Sequence, residues 1–488
     1  MQQISHQTVR WLEGTGLAVL LVGTAPIARA NVMAQSADAD PFSAGFVYTE
    51  SNLSDNSVLV FDRAADGALS LAATVPTGGA GGGVVSVGSQ GAVAVSQSQQ
   101  YLFAVNEGGN SISVLKRTPA GLDAVGTVSS GGTLPVSITV SGNLVYVLND
   151  GVGSSPANIT GFSFNNSTGA LTPIPNSTRS LSAPSPTPPA IGPVAPQIQF
   201  DNTGHLLVVT ETGTSLIDTY TINPNGTPSQ PLSQHSFGSS PFAVAFTPQN
   251  NLLVTEVRES LGTALQGAVT SYQLNGGGIL ETISGSVGDF QTAPCWIIVT
   301  PDGKFAYVVN TASGVISGYQ VGPNGELSLL GNGVTAETPP DPLDDAFLSG
   351  DLYDVTSGGS IVGFQVQADG SLTSLNLNVT VPAGSRGLVA LAVPEPSSLL
   401  VLATGLLLAA GVLETDRVRR RRRDAATLRD ARPSTQRHPD VLVTSAATDA
   451  FTETGPSAPS VDRNVELRQS GVVLATGATM QAFGATSV

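Results

Sequence analysis

The 488-residue chain is 41% apolar and only 11% charged, with 55 Gly and 32 Pro. That balance excludes disorder for most of its length and suits an all-β protein with many tight turns better than a helical one. The formal net charge is -16, Arg is concentrated between Arg417 and Arg437, and Lys occurs only at Lys116 and Lys304. A body so poor in cations excludes nucleic-acid binding and argues against strongly anionic ligands, leaving neutral ligands, cations or no small ligand. The single cysteine, Cys295, allows no intramolecular disulfide.

The first 38 residues read as a signal peptide and leader. Arg10 supplies a positive charge ahead of a short apolar stretch from Gly16 to Ile27, and Ala28-Arg29-Ala30 offers a small-x-small cleavage site. The stretch is too short to span a bilayer comfortably.

From 45 to 393 one pattern recurs: an apolar-aromatic strand that ends in a turn, then a second alternating strand. Its copies are Phe46-Val47-Tyr48-Thr49-Glu50, Leu102-Phe103-Ala104-Val105-Asn106-Glu107, Val145-Tyr146-Val147-Leu148-Asn149-Asp150 and Leu207-Val208-Val209-Thr210-Glu211. Then come Leu252-Leu253-Val254-Thr255-Glu256, Ala306-Tyr307-Val308-Val309-Asn310 and Leu352-Tyr353-Asp354-Val355-Thr356. Period-2 alternation and β-branched and aromatic residues mark strands, and turns such as Pro301-Asp302-Gly303 separate them. Seven copies at blade-length spacing predict a seven-bladed β-propeller. The first copy lacks an innermost strand before it, and the last blade is followed by an extra strand that starts at Arg386. That strand is expected to complete blade one and close the ring. The Pro-rich insert 182–196 reads as an extended loop between blades three and four.

Segments such as Gly131-Gly132-Thr133-Leu134-Pro135-Val136-Ser137 and Cys295-Trp296-Ile297-Ile298-Val299-Thr300-Pro301-Asp302-Gly303 resemble the lactonase-type seven-bladed propellers. These are related to 6-phosphogluconolactonases, carboxymuconate cyclases and YVTN-repeat surface proteins. The resemblance implies the fold across nearly all of 45–393. It also implies His and Arg at the starts of innermost strands and a Glu at the end of a second strand. Here the matching starts read Pro196-Gln197, Pro241-Phe242-Ala243 and Pro294-Cys295-Trp296, and only Glu256 matches the Glu.

The turns after the second strands carry Glu50, Glu107, Asp150, Glu211 and Glu256, with Thr311 and Ser357 in the other two blades. Converging carboxylates would hold a calcium or other divalent cation, or raise one pKa to make a general acid or base. The competing structural reading is that each acid caps its own turn. Arg386 and Arg258 are the cations left to stabilise an oxyanion. Cys295 beside Trp296, at the start of an inner strand, is a candidate ligand contact or a small buried hydrophobe. His205 and His235 read as surface residues.

After the body, Pro394-Glu395-Pro396 is followed by an uncharged apolar run from Ser397 to Leu413 and then by Arg419-Arg420-Arg421-Arg422-Arg423. The run is about the minimum for a membrane helix, and the Arg cluster places its far end in the cytoplasm. Segment 394–423 resembles the PEP-CTERM sorting signal. That resemblance implies processing by an exosortase, transient anchoring in the inner membrane and delivery to the cell surface or exopolysaccharide matrix. Residues 424–488 read as a disordered tail.

Two functions follow. The first is a surface- or matrix-sorted propeller that binds a matrix polysaccharide or surface protein, and the missing His and Arg favour it. The second is a lactone hydrolase or cycloisomerase with Glu256, Glu107, Glu211 and Arg386 as its catalytic candidates. Glu50, Asp150, Cys295 and Trp296 are the candidates for ligand contact. Convergence of the three Glu with Arg386 favours the enzyme, and individually capped acids favour the binder. No organic cofactor is expected.

Overall fold

Strands with apolar residues on both faces need neighbours on both sides, and radial packing of sheets supplies them. The computed structural model describes residues 44–83, 90–118, 121–152, 155–182, 195–257 and 267–393. They form seven antiparallel sheets of four or five strands. The expected leader, the sorting signal, the tail, Arg258 and most of the 182–196 insert lie outside the described residues. Among those described, no helix is long and apolar enough to cross a membrane.

The innermost strands of blades two to seven are Val93–Val95, Pro135–Ser141, Ile198–Phe200, Pro241–Phe246, Pro294–Val299 and Pro342–Leu348. Blade one takes its innermost strand from the end of the body: Arg386–Ala392 pairs antiparallel with Gly45–Glu50, setting Gly45 against Ala392 and Glu50 against Arg386. The expected closure is therefore observed. Thr49 Oγ1 donates to the Arg386 carbonyl at 3.0 Å and fixes the register at that end.

The second strands carry the repeat and are buried throughout: Tyr101–Asn106, Leu206–Glu211, Asn251–Glu256 and Asp351–Thr356 show no exposed residue. Outer strands are largely exposed, as in Leu69–Pro76. The repeat's aromatic position links blades. Tyr146 Oη donates to the Gly226 carbonyl at 2.5 Å, Tyr307 Oη to Gly370 at 2.9 Å, and Tyr353 Oη to Gly67 at 3.0 Å across the closure seam. Each accepting glycine sits in the outer hairpin of the following blade, with φ of 80°, 84° and 84° respectively. A side chain there would be strained, so the turn residue and the interblade bond are selected together. Each such bond contributes about 1 kcal/mol net.

Arg63, Arg117 and Arg179 also tie neighbouring blades. The buried Arg63 guanidinium bonds Asp351 and the Tyr353 hydroxyl of blade seven. Arg117 Nε donates to Tyr48 Oη at 3.0 Å, and Arg179 Nε to the Ser229 carbonyl at 3.0 Å. These cations are spent on the ring. His205 and His235 are exposed, as expected.

Candidate functional site

The inner strands surround an axial cavity of about 340 Å³ to which every blade contributes. Its polar wall comprises Gln90, Thr139, Gln197, Gln199, Asp344 and Asp345, and the rest is apolar side chains such as Ile138, Phe246, Ile297 and Leu388. Gln90 reaches from the start of blade two to blade six. Its Nε2 donates to the Ile297 carbonyl at 2.9 Å, and its Oε1 accepts from the Ile297 amide at 3.3 Å. The Gln90 carbonyl accepts from Ser137 Oγ at 2.6 Å, and the Gly91 amide donates to Asp344 Oδ2 at 3.2 Å. Gln197 makes the same kind of bridge from blade four to blade five: Oε1 accepts from the Val244 amide at 2.5 Å and Nε2 donates to its carbonyl at 3.0 Å.

The carboxylates expected to converge divide into two groups. At the closure seam Arg386 Nη1 donates to Glu107 Oε1 at 2.7 Å in a buried ion pair, with side chains 6% and 1% exposed. Glu50 lies beside Arg386 in the strand register. Its Oε2 accepts from Asn56 Nδ2 at 3.2 Å, while Oε1 is buried with no hydrogen-bond partner. Burial pushes the Glu50 carboxyl up to about 8. Arg386 and the Asn56 bond oppose the shift, and the neighbouring Glu107 and Asp344 add to it. Glu50 is therefore mostly neutral at pH 7.

The remaining acids serve their own surroundings. Glu256 accepts from the Gly238 amide at 2.8 Å, Thr270 Oγ1 at 2.5 Å and Ser286 Oγ at 2.5 Å. Glu211 accepts from Ser182 and from Thr214 Oγ1, and burial and the adjacent Asp218 raise its pKa. Asp150 accepts from the Ala195 amide at 2.8 Å. None of the three lines the axial cavity. Of the four residues whose convergence would mark an enzyme, Glu107 and Arg386 meet, and Glu211 and Glu256 are held apart from them by partners of their own. Cys295 sits at a strand irregularity between Pro294 and Trp296, in the apolar cluster of blades five to seven, and neither it nor Trp296 reaches the cavity wall. Trp296 packs edge-on against Phe242.

Blade seven carries the acids that sequence reasoning missed. Asp344, 3% exposed, accepts through Oδ2 from the Gly91 and Leu388 amides and through Oδ1 from the Asp345 amide. Burial outweighs those three bonds and holds its pKa up to about 7. Asp345 stands opposite Asp354 in the strand register. Both are buried; neither Asp345 oxygen has a hydrogen-bond partner, and the Leu343 amide bonds the Asp354 carboxyl. Burial pushes both well above the usual carboxylate range, with mutual repulsion adding at Asp345. Protonation removes the charge conflict. A signal existed: Asp354 occupies the repeat position filled by Ala104, Val147, Val209, Val254 and Val308, where a charge has no structural reason to be. Among the described residues no group of three or more His, Cys, Asp or Glu is arranged to hold a metal ion.

The family model "Lactonase, 7-bladed beta-propeller" matches residues 41–188 and 180–343, more than half of the chain. Similar solved structures include a periplasmic gluconolactonase of Pseudomonas aeruginosa, 19% identical with TM-score 0.55, covering 72% of this chain and 99% of that one. Another, from Bacteroides fragilis, is described as a candidate 6-phosphogluconolactonase; it is 18% identical with TM-score 0.55, covering 72% and 100%. A Lactobacillus plantarum protein is 18% identical with TM-score 0.55, covering 72% and 99%. At these identities the likeness is one of fold. No curated protein matches the sequence significantly.

Proposed function

Since the chain belongs to the family of lactonases built on a seven-bladed β-propeller, we propose that it hydrolyses a lactone in the axial cavity. The observation that carries this reading is Asp344: a carboxyl in the cavity wall, held by three backbone amides and kept by burial at a pKa of about 7. A general base works best when its pKa lies near the operating pH. The ionised Asp344 takes a proton from water as the water oxygen bonds to the lactone carbonyl carbon. The ring C–O bond then breaks, and the alkoxide oxygen recovers the proton from Asp344, which yields the open-chain hydroxy acid. The Asp344 charge in turn adds to the raised pKa of Glu50 at the closure seam.

The Glu256 carboxylate, with two hydrogen bonds from its own blade, a third from the Gly238 amide just before it and no place on the cavity wall, is better suited to bracing than to activating water. The test is turnover of aldonolactones by the wild type and Asp344→Asn. A loss of 10²- to 10⁴-fold in the variant supports the reading, given the usual contribution of a positioned base, and unchanged turnover refutes it.

The leader and segment 394–423 support a second proposal, export followed by exosortase processing and display at the cell surface or in the matrix. A role as a binder of matrix polysaccharide is the alternative, supported by the separate hydrogen-bonded settings of Asp150, Glu211 and Glu256 away from the cavity wall. It predicts no turnover by the folded protein.

A further inference from the structure

We propose that Gln90 is a positioning residue for Asp344: its side chain crosses the axial cavity to blade six and so holds the Gly91 amide on the Asp344 carboxyl. Its part in catalysis rests on the lactonase reading, and the contact itself does not. The bridge answers a need of the ring. Each innermost strand turns an edge of backbone amides towards the axis, and a buried amide needs an acceptor. Ser137, Gln197 and Ala243 stand at matching places, one residue before Ile138, Ile198 and Val244, which pair with Val147, Val209 and Val254. From there Ser137 Oγ accepts from the Ile198 amide of the following blade at 3.3 Å, and Gln197 Oε1 accepts from the Val244 amide of the next. Ala243 has only a methyl group to offer Ile297. Gln90 fills that place from across the ring, with one bond to the Ile297 amide and one to its carbonyl.

The peptide unit between Gln90 and Gly91 is held at both ends. Its carbonyl accepts from Ser137 Oγ at 2.6 Å, and its N–H, which points the opposite way in a trans peptide, donates to Asp344 Oδ2 at 3.2 Å. Blade six anchors the Gln90 side chain, blade three anchors the carbonyl, and blade seven receives the amide. The Gly91 φ of 80° is one that glycine adopts without strain. Burial raises the Asp344 pKa, and the Gly91 bond is the foremost of the three amide bonds that oppose it. The titratable groups around Asp344 are Asp345 and Asp354 of its own blade, Glu50 of blade one, and Arg386 at the start of the closing strand, whose Leu388 amide also bonds Asp344. Substitutions at Gln90 and Ser137 leave all four in place.

The experiment titrates the Asp344 carboxyl by carbon-13 NMR in the full-length protein labelled at its Asp carboxyls, with Asp344→Asn assigning the signal. The pH profile of kcat/KM for glucono-1,5-lactone, after subtraction of spontaneous hydrolysis, is the second readout. Gln90→Met keeps the length of the side chain and removes both bonds to Ile297. The Asp344 midpoint should then rise by about one pH unit, because a bond to the charged form is weakened. The acid limb of the rate profile should move with it, which lowers kcat/KM near neutral pH by about fivefold. Gln197→Met removes the same two bonds between blades four and five and should leave the Asp344 midpoint in place. Ser137→Ala, which removes the bond to the Gln90 carbonyl, should shift the midpoint in the same direction and decides the matter if Gln90→Met does not fold. An unmoved midpoint, with kcat/KM lowered by one factor at every pH, would show that Gln90 only braces the ring and would overturn the proposal. A midpoint that falls would mean that the bridge acts by excluding water, and would overturn the part given to the Gly91 amide. A raised midpoint in a protein without turnover supports the bridge and overturns the lactonase reading alone.

Discussion

Replacing Glu50 by Gln gives a direct measure of the seam electrostatics. In the folded protein the Glu50 carboxyl is held up to about 8 against an ordinary 4.5. Between those values the folded state keeps a proton that the unfolded state has lost. Wild-type stability must therefore fall as pH rises through that window and level off above it. The window is about 3.5 pH units wide, and at about 1.4 kcal/mol per unit the contribution comes to about 5 kcal/mol. Gln cannot ionise, so this part of the pH dependence disappears in the variant. The part due to Asp344, raised from 3.8 to about 7, remains in both proteins. Urea unfolding of both at a series of pH values from 4.5 to 9 provides the comparison. The variant's stability relative to wild type should climb with pH up to about 8 and then stay flat. The slope is diagnostic rather than the offset, because the Gln amide places a donor where Glu50 Oε1 has no partner. A difference independent of pH from 4.5 to 8 would show that Glu50 ionises normally and that the seam is hydrated.

Arg386→Met should destabilise the propeller by about 3–5 kcal/mol, because Glu107 is left buried and unmatched. Glu107→Leu combined with Arg386→Met should recover most of that loss, and a double-mutant cycle by urea unfolding tests the coupling. Additive losses in the cycle would refute a matched buried pair. For sorting, Pro394, Glu395 and Pro396 all changed to Ala should leave unprocessed protein in the inner-membrane fraction. Normal processing of that variant, followed by immunoblot, would refute the exosortase assignment.

The ring was legible because each blade repeats one physical requirement. A second strand buried on both faces must be apolar along its length, and its aromatic residue must meet a glycine turn in the next blade. The closing strand was legible from phase alone, since Phe46–Glu50 had no inner partner before it. The site was less legible. Five acids at equivalent turns read as one ring of charge, yet their partners are set by what folds beside each one. Glu256 finds Thr270 and Ser286 in its own blade, whereas Glu107 finds Arg386 from the far end of the body. Such a pairing depends on closure and has no local pattern. Asp344 and Asp345 were passed over because two acids at a strand start resemble a solvated turn, and only the packed inner strand places them at the cavity. Asp354 was the readable exception, a charge at an otherwise apolar repeat position.

The most direct test of the account is the pH profile of kcat/KM for glucono-1,5-lactone with the wild type, Asp344→Asn and Glu256→Gln. The account predicts a wild-type rate that rises through a pKa of about 7. It predicts a loss of that rise in Asp344→Asn, and an unchanged profile in Glu256→Gln. A folded wild type without turnover, or a profile that moves with Glu256 and not with Asp344, would contradict it.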